Sequence, residues 1–221
     1  MPNFDPRTVP VAGVDRHLPA VAHHSLQPQA LRDRFLAPPL WQPEFREEPK
    51  WASRQPVPAS VLIPVVLRER PTVLLTQRTA HLSSHSGQIA FPGGKQDSTD
   101  ADLVATALRE AHEEVGLQSE FVQVLGTLPV YVTGSAFIIT PVVGLVQNGF
   151  SLTPNAYEVD DVFEVPLEFL MNPANHRRHS FLADGVQREW ISMPYGDGPD
   201  ERYIWGATAG MLRNLYRFLQ A

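Results

Sequence analysis

The chain has 221 residues, a net charge of −6, 43% hydrophobic residues and no cysteine. That length holds one domain with an extension, or at most two small domains. The lack of cysteine excludes disulfides, thiolate metal sites and cysteine nucleophiles, and the acidic balance argues against a broad nucleic-acid-binding face. No basic segment followed by an apolar run opens the chain, so no signal peptide is expected. The longest apolar run, Val61 to Leu67, is broken by Pro64 and is too short to span a bilayer. The expectation is a cytoplasmic protein without a membrane partner.

Eleven of the 21 prolines fall in the first 59 residues. Residues 1–58 read as a Pro-rich N-terminal extension with one helical candidate, Leu26 to Ala37. Such an arm packs on its own domain or on a partner subunit, the latter giving a homodimer, or stays a partly disordered tail. Residues 59–221 form the domain. SVLIPVVL and PTVLLTQR read as two strands joined by a turn, and HLSSHSGQIAFPGG reads as a polar loop ending in a tight Gly-Gly turn. DADLVATALREAHEEVG reads as a helix, with Thr99 or Asp100 as its N-cap and Gly116 as its stop. FVQVLGTLPVYV and FIITPVVGLV continue as strands. A loop, a strand and a short helix near Pro166 follow, then a hairpin over HRRHSFLADG and QREWISMPY. IWGATAGMLRNLYRFL closes the chain as a helix. The layout is mixed α/β or α+β.

One helix carries an unusual charge pattern. At about 100° per residue, Val104, Ala107, Leu108, Ala111 and Val115 share a core face. Glu110, Glu113 and Glu114 cluster beside it, with Arg109 at the edge of the acidic arc. Glu110 and Glu114 are an i,i+4 pair, a spacing that costs a few tenths of a kcal/mol for like charges, about 0.2–0.5. A solvated polar face is the simplest account. Against it, the cluster sits at the helix C-terminus, where the macrodipole disfavours negative charge. A cation site accounts for both, because carboxylate oxygens on one face are hard ligands suited to Mg²⁺ or Mn²⁺. Mg²⁺ keeps open positions for substrate phosphates, which points to phosphate chemistry.

Arg109-Glu110-Ala111-His112-Glu113-Glu114-Val115-Gly116-Leu117 resembles the second half of the Nudix hydrolase box, G-x5-E-x7-R-E-U-x-E-E-x-G-U, where U is a bulky aliphatic. Ala111 is smaller than usual. In the first half, Gly94 is followed after five residues by Asp100 in place of Glu, and eight residues rather than seven separate Asp100 from Arg109. The coenzyme A pyrophosphatase branch carries a further pattern upstream, L-L-T-x-R-[SA]-x3-R-x3-G-x3-F-P-G-G. This chain is similar to it at Leu74-Leu75-Thr76-Gln77-Arg78, Gly87 and Phe91-Pro92-Gly93-Gly94. Thr79 stands where Ser or Ala is expected and Ser83 where Arg is expected, a departure at a position where the resemblance would imply a phosphate contact. EVDDVFEVPLEFL and IWGATAGML also look like that branch, so the resemblance covers about residues 59–220.

The resemblance implies a Nudix fold, a mixed sheet sandwiched between helices with a loop-helix-loop box. It implies metal-dependent hydrolysis of coenzyme A or its derivatives to adenosine 3′,5′-bisphosphate and 4′-phosphopantetheine. Another nucleoside diphosphate derivative (ADP-ribose, NADH) or a nucleoside triphosphate is the nearest alternative, and a non-catalytic Nudix-fold binder another. Glu110, Glu113 and Glu114 carry over as metal ligands, with the Gly93 carbonyl, and Arg109 as the residue that orients a box glutamate. A box glutamate or a later acid, Glu158 before Asp160 and Asp161, serves as base. Arg78, Gly94 and Lys95 are candidates for substrate contact. Asp100 reads as an N-cap rather than a ligand. Tyr203 and Trp205 read as core more readily than as a stacking platform for adenine.

Overall fold

The computed structural model describes residues 5–48, 55–82, 85–183 and 185–221. In chain order its strands and helices are β1 (Val11–Val14), α1 (Pro28–Leu36), β2 (Val57–Val66), β3 (Thr72–Arg78), β4 (Ile89–Ala90), β5 (Gly93–Lys95), α2 (Leu103–Val115), β6 (Val122–Thr127), β7 (Tyr131–Val132), β8 (Phe137–Val146), β9 (Val159–Pro166), α3 (Leu167–Leu170), β10 (Arg177–Ala183), β11 (Val186–Tyr195), β12 (Arg202–Trp205) and α4 (Gly206–Gln220).

An eight-stranded mixed sheet is built around β2. β2 runs parallel to β8 over ten residue pairs and antiparallel to β3 and β5. Alternation along a strand sends successive side chains to opposite faces. Leu62, Val66 and Leu74 thus meet Ala107, Ala111 and Val115 of α2. Ile63, Val65, Val73 and Leu75 meet Met211, Leu212 and Leu215 of α4 in a larger core. The sheet is sandwiched between helices, as the fold class predicts. The second sheet, β1-β10-β11-β12, is antiparallel and adds Ile191, Met193 and Ile204 to the larger core.

The Pro-rich segment packs on this body. Val21, Leu26 and Leu31 enter the larger core, and β1 pairs with β10. Asp15 and Glu44 meet two arginines there. Arg178 bonds Asp15 at 2.6 and 2.8 Å and Glu44 at 2.6 Å, while Arg213 reaches Glu44 at 2.7 Å and Asp15 at 3.0 Å. Arg213 is 1% exposed and also donates to His176 Nδ1 at 2.9 Å. His176 donates its other ring N–H to the Leu170 carbonyl, and burial lowers its pKa to about 4.

Three local expectations change. The N-cap of α2 is Asp102, whose side chain accepts from the Ala105 N–H at 2.8 Å, and not Thr99 or Asp100. Residues 93–95 are a short strand paired with Ala59–Val61 rather than a turn. Ile204 and Trp205 end strand β12, so the last helix starts at Gly206.

Candidate active site

The box helix α2 lies against β2 and β5, and its residues sort as the helical period requires. Ala107, Ala111 and Val115 are buried, and Val104 and Leu108 pack at the margin. Gly116 adopts φ +74° and ends the helix, its N–H returning to the Ala111 and His112 carbonyls. Glu114 is on the inner side of the acidic arc and is only 4% exposed. Glu110 is half-buried, and Glu113 faces solvent.

The two glycines of β5 are there for close approach, not for a turn. Neither has positive φ. A Cβ at Gly94 would lie 2.5 Å from the Glu110 carboxylate, and one at Gly93 would lie 2.4 Å from the Ser60 carbonyl oxygen. The Gly93 N–H donates to Glu114 Oε2 at 3.2 Å. These two positions let the backbone of β5 sit directly on the carboxylates of α2.

Arg109 is held in a fork. Its Nε and Nη2 donate to the two oxygens of Asp100, both at 2.9 Å, and Nη2 donates to the Lys95 carbonyl at 3.1 Å. Its Nη1 reaches Glu110 at 3.1 Å and Glu113 at 2.8 Å. Asp100 also accepts from Thr106 and from the Asp97 N–H, and the Arg109 bonds hold its carboxyl far below the usual range. Asp100 therefore anchors the box arginine, a role that the N-cap expectation missed. The available signal was its place nine residues before Arg109, where the box has a longer acid one residue closer.

The two inner glutamates remain under-compensated. Burial raises the Glu114 pKa to about 7. The Gly93 N–H and Arg78 oppose that rise, while Glu110 and Glu158 add to it. Burial also raises Glu110. Arg109 opposes the shift, and Glu113 and Glu158 reinforce it. Glu158 thus lies within electrostatic reach of both inner glutamates. Its loop is fastened to α2, because the Asn155 N–H donates to the Glu114 carbonyl at 2.8 Å and the Glu158 N–H to the Asn155 carbonyl at 2.9 Å. Thr79, which departs from the upstream pattern, uses its N–H and hydroxyl to hold the carbonyls of Glu158 and Tyr157.

Arg78 ends β3 beside Glu114, with Nη1 3.6 Å from the carboxylate. Its Nε is buried without a hydrogen-bond partner among the described residues. Lys95 contributes its carbonyl to Arg109 and places its ammonium 5.9 Å from the centre of the Phe137 ring. Asp161 pairs with Arg202 at 2.5 Å. Tyr203 and Trp205 stand apart from α2, in a cavity beside the second sheet. Ser83 lies outside the described residues. Among those residues no three acidic or histidine side chains converge on one point, so the expected ligands Glu110, Glu113 and Glu114 are not brought together as a set. The donors nonetheless fit a hard divalent cation: they are carboxylate oxygens, two are disfavoured as bare anions, and the glycines bring the β5 backbone up to them.

Known proteins resemble this chain over most of its length. The family model described as NUDIX domain matches residues 56–184. The "uncharacterized Nudix hydrolase NudL" of Citrobacter koseri is 45% identical over 158 residues, covering 71% of this chain and 80% of that protein. The protein of the same description from an Enterobacter species is 42% identical over the same shares. A crystal structure of a C. elegans Ap4A hydrolase binary complex is similar at TM-score 0.43 and 20% identity, covering 53% of this chain and 85% of that one. On the family match and the two relatives, the chain belongs to the Nudix hydrolase family.

Proposed function

We propose that this Nudix hydrolase cleaves the pyrophosphate bond of coenzyme A or its derivatives, releasing adenosine 3′,5′-bisphosphate and 4′-phosphopantetheine. The observation that carries the reading is Arg78. It belongs to the Leu74-Leu75-Thr76-Gln77-Arg78 pattern, stands against Glu114 and retains a buried donor without a partner among the described residues. A guanidinium so placed suits a phosphate oxygen.

Glu110 and Glu114, with Glu113 and the Gly93 carbonyl, would hold the Mg²⁺ or Mn²⁺. When bound, the ion neutralises phosphoryl oxygens and acidifies a bound water. Arg109, clamped by Asp100, fixes the rotamer of Glu110. Glu158 takes the proton of the attacking water, with Asn155 Nδ2 3.5 Å from its carboxylate. Water oxygen bonds to one phosphorus, and the bridging P–O bond breaks with its electrons on the departing phosphate. Arg78 and Lys95 balance charge on the diphosphate, and Gly94 lets the β5 backbone approach Glu110. No helix among the described residues is long and apolar enough to cross a membrane, which suits a cytoplasmic nucleotide substrate.

A second reading, another nucleoside diphosphate derivative such as ADP-ribose or NADH, draws on Ser83, which replaces the arginine of the upstream pattern. A substrate panel with Mg²⁺ or Mn²⁺ separates the two. Coenzyme A cut with the highest kcat/KM, giving phosphopantetheine by mass spectrometry, is the expected result. Preference for ADP-ribose or NADH overturns the coenzyme A assignment and leaves the family chemistry intact.

A further inference from the structure

A cavity of about 580 Å³ lies between the second sheet and the edge of the first, within the ~300–1,000 Å³ range of small-molecule sites. No box glutamate lines it. One wall comes from the upstream pattern: Gln77, Gly87 and Gln88 face it. Gln77 lines the cavity, whereas its neighbour Arg78 stands beside Glu114. Consecutive residues of β3 therefore border the cavity and the box carboxylates. The upstream pattern is thus shared between the box carboxylates and this cavity.

The chemistry of the walls selects against a second phosphate. Among the described lining residues, five carboxylates face three arginines. One arginine, Arg202, is already committed to Gln77 at 2.6 Å and to Asp161. Aromatic rings, including Trp190 and Trp205, provide apolar faces. Glu48 accepts from the Tyr131 hydroxyl at 3.1 Å and from the Gly134 N–H at 3.0 Å, which fixes a carboxylate acceptor at the cavity. Side-chain amides of Gln77 and Gln88 add further polar groups. That mixture of ring faces, amides and a fixed acceptor suits an uncharged, amide-bearing chain.

Resting on the coenzyme A reading, we propose that this cavity binds the pantetheine arm of the substrate, while the anionic nucleotide half stays on the α2 side. The arm is the part with no charge beyond the pyrophosphate. The nucleotide half carries an additional phosphate that the acidic walls would repel. The cavity would then set preference for pantetheine-bearing substrates over other nucleoside diphosphates, without touching the bond that breaks.

Hydrogen exchange on the full-length protein, with pantetheine alone as the probe, reads this without turnover. Protection of residues 85–91, 186–191 and 202–206 is expected; no protection in these segments overturns the proposal. In kinetics, Trp205→Ala and Glu48→Gln should each raise KM for coenzyme A about tenfold, as loss of a substrate contact does, with kcat and the KM for ADP-ribose nearly unchanged. An equal rise for both substrates overturns the cavity assignment. If wild-type enzyme cleaves ADP-ribose but not coenzyme A, the functional reading fails by itself, and pantetheine protection still decides the cavity.

Discussion

Two clusters of carboxylates and arginines occupy this molecule, and they are balanced in opposite ways. At the junction of the N-terminal segment with α4, burial opposes ionisation of Asp15 and Glu44. Bonds from Arg178 and Arg213 outweigh it and hold both acids below their ordinary range. At α2 the arginines are shared, and Arg109 reaches Glu110 and Glu113 with Nη1 alone. Arg109 gives its fork to Asp100, and Arg78 reaches Glu114 only at 3.6 Å. Burial then wins, and Glu110 and Glu114 are raised. The first cluster is complete and structural. The second is left short of positive charge, which is the state expected of a surface that takes up a cation.

The largest test of this contrast is chemical. Glu110→Gln should lower kcat by roughly 10³-fold, beyond the about 10–100-fold that loss of an outer-shell partner costs a metal site. Circular dichroism should show an intact fold. Near-normal turnover by that variant would remove Glu110 from the site. The matching change at the other cluster acts on stability. Arg213→Met takes the buried arginine from Asp15 and Glu44 and leaves them Arg178 alone, and urea unfolding should show a loss of about 3 kcal/mol. A change under about 1 kcal/mol would mean that the cluster is not worth what its burial suggests.

The pH responses of the two clusters should have opposite signs. Glu114 moves from an ordinary value of 4.5 to about 7. Between these values the folded, metal-free protein binds more protons than the unfolded chain, so its stability falls as pH rises through that window, by roughly 3 kcal/mol. Glu114→Gln should flatten that slope. The depressed Asp15 and Glu44 instead stabilise above their ordinary values, and that contribution is lost as acid titrates them in the fold. Denaturant melts of metal-free protein at a series of pH values measure both limbs. A smaller effect belongs to Asp100→Asn, which loosens the Arg109 clamp and should weaken Mn²⁺ binding about tenfold. Smallest of all, Asp102→Ala removes the cap of α2 and should cost about 1 kcal/mol in the melt.

The sequence made the local parts of this arrangement readable. The core face of α2, its Gly116 stop and the acidic arc follow from helical period alone, as the buried Ala107, Ala111 and Val115 show. β8 and the β10–β11 hairpin were equally plain from alternation and turn residues. What it hid depended on contacts between distant segments. Asp100 and Asp102 are both good caps by residue type, and only the reach of Arg109 separates their roles. Gly93 and Gly94 looked like turn glycines because their true neighbours, Ser60 and Glu110, are far away in sequence. The integration of residues 5–48 is hidden because Val21, Leu26 and Leu31 are scattered among prolines, and the core they enter is built from residues far along the chain.

The central claim is that the α2 carboxylates are left for a divalent cation. Thermal unfolding of the metal-free protein with increasing Mn²⁺, at a pH above 7, tests it directly, because a ligand bound only by the folded state must raise the melting temperature. The expected result is a saturable rise in wild-type protein that Glu110→Gln and Glu114→Gln each abolish. A wild-type melting temperature that Mn²⁺ leaves unmoved, or a rise that survives both substitutions, would contradict it.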